Sequence, residues 1–166
     1  SMLKWNKQDI WIYGSIILLA GYLIIRLVNF FSITQFFPLG RVDISSYMAV
    51  LFFLAEKGYT ASVQLWYNGF NPFSVLQPGW YLFTLPFYWV LGKVELASFF
   101  SVVFMLSASF IFISRIGKLN GLSRSRRILL SLIVLANPVS IAEFLRLGRA
   151  TELFGFMIFF ALAVLI

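Results

Sequence analysis

Four apolar runs dominate this sequence, and each must be placed somewhere other than water. A helix needs roughly 20 apolar residues to cross the hydrocarbon core of a bilayer. "IWIYGSIILLAGYLIIRLVNFF" (10–31) and "LASFFSVVFMLSASFIFIS" (96–114) meet that requirement. So does "ILLSLIVLANPVSIAEFL" (128–145), with Pro138 expected to kink it near its end. "ELFGFMIFFALAVLI" (152–166) is read as the fourth. The shorter run "GWYLFTLPFYWVLG" (79–92) carries Pro86 inside it and glycine at both ends. That pattern suits an interfacial or re-entrant helix better than a crossing.

Composition supports a membrane environment and removes several chemistries. The chain is 61% hydrophobic and only 11% charged, outside the range of ordinary soluble domains. It has no cysteine and no histidine, which excludes disulfides, thiolate nucleophiles, the usual zinc sites and any histidine-based triad. The net charge of +7 raises the question of nucleic acid. The basic residues cluster at the ends of apolar runs, however, so topology accounts for them and no nucleic acid is expected.

Charge also orients the chain. With a cytoplasmic N-terminus and 79–92 not crossing, the inner segments carry Lys4, Lys7, Arg115, Lys118, Arg124, Arg126 and Arg127 against Asp9 alone. The outer segments carry Arg41, Lys57, Lys93, Arg146 and Arg149 against Asp43, Glu56, Glu95, Glu143 and Glu152. Every boundary then obeys the positive-inside rule. The expectation is an all-α integral membrane protein with about four transmembrane helices and a long first loop on the non-cytoplasmic side. That loop is about 60 residues long, a length that in a compact domain goes with function or disorder. Its many Phe, Trp, Tyr and Leu residues argue against disorder. Within it, "ISSYMAVLFFLAEKG" (44–58) reads as a juxtamembrane amphipathic helix ending at its Glu-Lys-Gly stop. "LWYNGFNPFSVLQPGWY" (65–81) reads as turns with aromatic anchors. No internal repeat or low-complexity tract divides the chain.

The ionisable residues expected at the outer face are Arg26, Arg41, Asp43, Glu56, Glu143, Arg146, Arg149 and Glu152. They suggest a small ionic site at the membrane boundary, with arginines able to hold an anionic phosphate through charge-assisted bonds. Several have a second reading. Asp43 stands before a helix and is suited either to capping it or to acting as a general base. Arg26 lies near the outer end of its run and either snorkels to the headgroups or binds ligand. "RLGRATE" (146–152) is either part of the site or a polar loop in which Thr151 or Glu152 caps the last helix. The residues alone give a location and an ionic character, and no reaction.

The order of features resembles the N-terminal module of the C-type glycosyltransferase superfamily, closest to uncharacterised prokaryotic membrane members. The resemblance rests on a series that starts with "GRVDISSY", "FLAEKGY" and "LWYNGFNPF" and covers about 30–166. It continues through "LQPGWYLFTLPFYWVLG", "FISRIGKLNGLSRSRR" and "ANPVSIAEFLRLGRATE". Gly79 departs from it by standing where the family has the second of two prolines. The resemblance implies transfer of a sugar from a polyprenyl-phosphate carrier, with inversion, at the non-cytoplasmic face. It implies Asp43 as the base and Glu152 as a second acid that orients the acceptor or, together with Asp43, holds a divalent metal ion. It also implies Arg146 or Arg149 as the holder of the carrier phosphate; Arg26 and Arg41 complete the expected binding set.

The expected partners are therefore a polyprenyl-phosphate-linked sugar, membrane lipids and another chain completing the helix bundle. Members of the family have more spans, so residues 1–166 are expected to be a single membrane domain forming the N-terminal part of a larger polytopic protein. The rival reading is a non-catalytic membrane subunit or scaffold whose aromatic loop docks a partner protein.

Overall fold

The computed structural model describes residues 7–36, 43–59, 62, 69 and 71–166. All regular structure among them is helical, with seven α-helices and one short 3-10 turn at Pro72–Ser74. The α-helices are α1 (Lys7–Phe36), α2 (Ile44–Lys57), α3 (Gly79–Leu91), α4 (Val94–Leu119), α5 (Arg124–Leu135), α6 (Ile141–Leu147) and α7 (Ala150–Ala163).

Two segments, Gln8–Gln35 and Val94–Leu119, are long and apolar enough to cross a membrane. At 1.5 Å per residue they measure about 42 and 39 Å, more than the ~30 Å hydrocarbon thickness. They sit differently in the fold. In the most apolar stretch of α1 only 6% of residues are buried, and Trp11, Ile17, Leu18, Ile24 and Ile25 face outward. The corresponding stretch of α4 is 44% buried, and α4 packs against α1, α2, α3, α5 and α7.

What allows so many neighbours around α4 is the size of its buried residues. Ala97, Ser98, Ser101, Ser109 and Gly117 are all buried along it, and small side chains let helix backbones approach closely. The Ser101 hydroxyl donates to the Ser98 carbonyl at 2.9 Å, so this polar group is satisfied within its own helix.

The sequence reading of 128–145 as one kinked helix is corrected. Helix α5 ends at Leu135 and α6 begins at Ile141. Asn137 makes the break: its side-chain oxygen accepts from the Val139 amide at 2.9 Å, and its carbonyl accepts from the amides of Ser140 and Ala142. Pro138 has no amide hydrogen to continue the ladder, so the Asn-Pro pair ends one helix and starts a turn. Helix α7, over the fourth apolar run, has 14 residues.

The two short helices expected over 44–58 and 79–92 form where the sequence places them. Helix α2 buries Ile44, Met48, Leu51 and Leu54 along one face and stops at Gly58, whose φ of 86° lies in the left-handed region. Helix α3 has 13 residues, about 20 Å at the α-helical rise, too short for a straight crossing. Its buried residues are Trp80, Tyr81 and Thr84. Gly79 opens α3 against Phe154 of α7. A Cβ added there would fall 2.7 Å from the Phe154 ring. The "WYNGF" turn (66–70) lies almost wholly outside the described residues.

Ser101→Leu is expected to destabilise the protein by about 1–3 kcal/mol through overpacking of α4. A lowered thermal midpoint in detergent, against an unchanged midpoint for the exposed Ser107→Leu, is the check.

Candidate functional site

The site begins at a chain reversal. Helix α6 ends at Gly148, with φ 69° and ψ 28°, and the Arg149 amide turns back to the Phe144 carbonyl at 2.8 Å. A left-handed residue here favours glycine. Packing demands it too, because a Cβ on Gly148 would lie 2.7 Å from the Cβ of Ile44. The start of α2 thus rests directly on the α6–α7 turn. The Asp43 amide closes the contact by donating to the Leu147 carbonyl at 3.0 Å.

This apposition brings together two residues 106 positions apart. Arg149 Nε donates to Asp43 Oδ2 at 2.8 Å, with both side chains nearly half exposed. A pair with that exposure is screened by water and adds little to stability, so it decorates the contact more than it maintains it. The hydrogen bond to Asp43, followed by its charge, raises the Arg149 pKa.

One turn along α2, the Tyr47 hydroxyl stands 3.4 Å from the Thr151 hydroxyl, which also lies 2.6 Å from Glu152 Oε2. Burial raises the Tyr47 phenol pKa. The Thr151 contact and Arg149 offset part of the shift, while Glu152 and Asp43 add to it. Tyr47 therefore stays protonated and able to donate through the physiological range. Behind it lie aromatic rings from residues 59–81. Tyr47 meets Tyr81 edge-on at 6.2 Å and Trp80 at 6.0 Å, Phe73 meets Tyr81 at 5.4 Å, and Tyr59 stacks on Phe73 at 4.9 Å. Tyr81 is 1% exposed, and its hydroxyl has no hydrogen-bond partner among the described residues.

The expected site residues separate into groups. Asp43, Arg149 and Glu152 converge. Arg146 does not join them: its Nε donates to Glu143 Oε2 at 2.8 Å, one turn back on its own helix. Arg26 donates through Nε to the Tyr22 hydroxyl at 3.0 Å, with its guanidinium 5.0 Å from that ring's centroid. Arg41 lies outside the described residues. The two capping readings are not realised. Asp43 has helical backbone angles and makes no side-chain cap bond, its carboxylate being turned to Arg149. Arg149 stands at the N-cap of α7, so neither Thr151 nor Glu152 caps that helix.

Tyr47 and Tyr81 were missed in the sequence. Tyr47 was legible in part, since it lies four residues after Asp43 on the expected helix and so shares its face. Nothing local marked Tyr81.

For a divalent cation the donor set is thin. No group of three or more carboxylate-type ligands occurs among the described residues. Asp43 and Glu152 fall short of the six to eight oxygens of a calcium site. The protein side chains alone do not build a cation cage here.

One groove, about 370 Å³, adjoins this region: it is lined by Phe144, Glu152, Gly155, Phe156 and Phe159, so a carboxylate stands at an otherwise apolar trough. A second groove elsewhere, about 450 Å³, is lined by Pro86, Phe87, Val90, Leu91 and Phe100 and offers no polar side chain for chemistry.

Gly148→Ala is expected to cost about 1–3 kcal/mol, from left-handed strain and the Ile44 clash, read as a lower thermal midpoint. Tyr81→Phe is expected to leave the midpoint unchanged or raise it, because the hydroxyl it removes is buried without a partner among the described residues.

No protein-family model, curated protein or solved structure matches this chain.

Proposed function

We propose that the chain is a membrane glycosyltransferase module acting on a polyprenyl-phosphate-linked sugar at the non-cytoplasmic face. The observation that carries this reading is the convergence of Asp43, Arg149 and Glu152 from the two segments assigned to that face. A carboxylate base, an arginine for phosphate and a second acid are what such a transfer requires. The apolar groove that contains Glu152 gives a hydrocarbon tail a course from the polar cluster into lipid.

In this reading the chain crosses the membrane four times. Helices α1 and α4 each cross, α5 and α6 together make a broken third crossing, and α7 opens the fourth. The N-terminus is on the cytoplasmic side in this reading, which the basic residues at 115–127 support through the positive-inside rule. Asp43 removes the proton of an acceptor hydroxyl or amide as that group attacks the anomeric carbon. The bond from that carbon to the carrier phosphate breaks on the opposite side, giving inversion. Arg149 meets the charge that develops on the departing phosphate.

A second reading, a non-catalytic subunit, draws on the outward apolar faces of α1 and of α7, where Phe159 and Leu162 are exposed. Such faces suit a neighbouring chain as well as lipid.

Short-chain polyprenyl-phosphate sugars supplied to the protein in lipid nanodiscs provide the test. With water or an added alcohol as acceptor for the sugar, wild-type protein is expected to release the polyprenyl phosphate, and Asp43→Asn to abolish release with little loss of folded protein. Release that persists in Asp43→Asn removes the base role. Absence of release from the wild type, with a partner retained through purification, favours the subunit.

A further inference from the structure

The two halves of the Asp43–Arg149 pair are held in different ways. Asp43 is fixed through its backbone, by the 3.0 Å bond to Leu147 and by Ile44, which is fully buried against Gly148. None of these contacts involves the carboxylate. Arg149 reaches its partner through a long side chain, using Nε alone. Its two terminal nitrogens have no hydrogen-bond partner among the described residues. Losing the ion pair would therefore leave Asp43 in place while the guanidinium moved. The neighbouring Arg146 differs, because it grips both oxygens of Glu143 on its own helix.

We infer that Arg149 is an exchangeable partner: an arriving phosphate group draws it away from Asp43 and thereby frees that carboxylate at the moment the phosphate is bound. The inference rests on the glycosyl-transfer reading for its purpose, since it would couple donor arrival to exposure of the base. Its chemistry is independent of that reading. A guanidinium fork with both terminal nitrogens open suits the paired oxygens of a phosphate. Glu152, which also acts on Arg149, disfavours an anion in either state.

Linkage makes the claim testable. If Asp43 and phosphate compete for one arginine, then whatever the carboxylate gains by holding it is subtracted from phosphate affinity. Neutralising Asp43 must therefore tighten binding. For an exposed, screened pair the expected gain is small, about 1.5- to 5-fold. Through-space repulsion by the Asp43 carboxylate would also be relieved on neutralisation, but that gain would survive in the Arg149→Ala background, whereas the exchange predicts that it vanishes there.

The probe is farnesyl phosphate, titrated into the protein in phosphatidylcholine nanodiscs, with farnesol and inorganic phosphate as tail-only and head-only arms. Asp43→Asn is expected to bind farnesyl phosphate about 1.5- to 5-fold more tightly than wild type. Arg149→Ala is expected to lose about 10-fold or more, and the double variant to bind no better than Arg149→Ala. Inorganic phosphate binding with the same pattern would support the exchange and identify free phosphate as a sufficient ligand.

In the wild type, the Arg149 Nε–H resonance should shift with farnesyl phosphate and not with farnesol, which tests the exchange without any substitution at Asp43. Equal or weaker binding by a folded Asp43→Asn protein, no phosphate binding by the wild type, or equal response to farnesol would each overturn the inference. Tightening without any sugar transfer would sink the glycosyltransferase reading and leave the exchange standing. Transfer without tightening would sink the exchange alone.

Discussion

Close approach to α4 is the constraint on which the rest of the structure depends. A helix hydrophobic nearly all round has no single face to bury, so its neighbours are selected by shape. Along α4 the buried positions are filled by alanine, serine and glycine as well as by Val102 and Met105. Dispersion contacts accumulate only when surfaces are near, and small side chains bring helix backbones within reach. With α3, α5 and α7 gathered around one axis, the ends of otherwise separate segments are brought to one place.

The candidate site is a product of that gathering and of one tight turn. Helix α7 packs on α4 and also on α6, which ends in a left-handed glycine. The start of α2 descends on this turn until Ile44 touches Gly148. Neither the ion pair nor the Tyr47–Thr151–Glu152 contacts would exist without it. The energies are in the same order. Steric fit and backbone hydrogen bonding set positions, and the half-exposed charges add little to stability. Charges that add little to stability are free to serve another role.

The aromatic residues of α3 are put to more than one use. Trp80 and Tyr81 are fully buried and fill space beneath Tyr47, while Trp89 faces outward at 69% exposure. An amphipathic ring suits both settings, as core filler or as an interfacial anchor. Burying Tyr81 beside Tyr47 and Glu152 pushes its phenol pKa well above the ordinary value, so it remains a neutral donor.

The sequence by itself determined the helical class, the two long apolar helices, the stop of α2 at Gly58 and the shortness of α3. These are local properties, sums of hydropathy and backbone preference over neighbouring residues, and they need no knowledge of what packs where. It also marked Asp43, Arg149 and Glu152 as candidates, though it left Asp43 divided between cap and base. Tertiary structure decided what those residues touch. It turned Asp43 toward Arg149, kept Arg146 on its own helix with Glu143, set Arg26 against Tyr22, and added Tyr47 and Tyr81 to the site. It also broke the run 128–145 in two, because Asn137 and Pro138 together offer the backbone a turn that an apolar count cannot register. The physical reason is reach. A contact between positions 43 and 149 depends on a chain reversal and a helix approach set by packing throughout the bundle, and no local pattern encodes that distance.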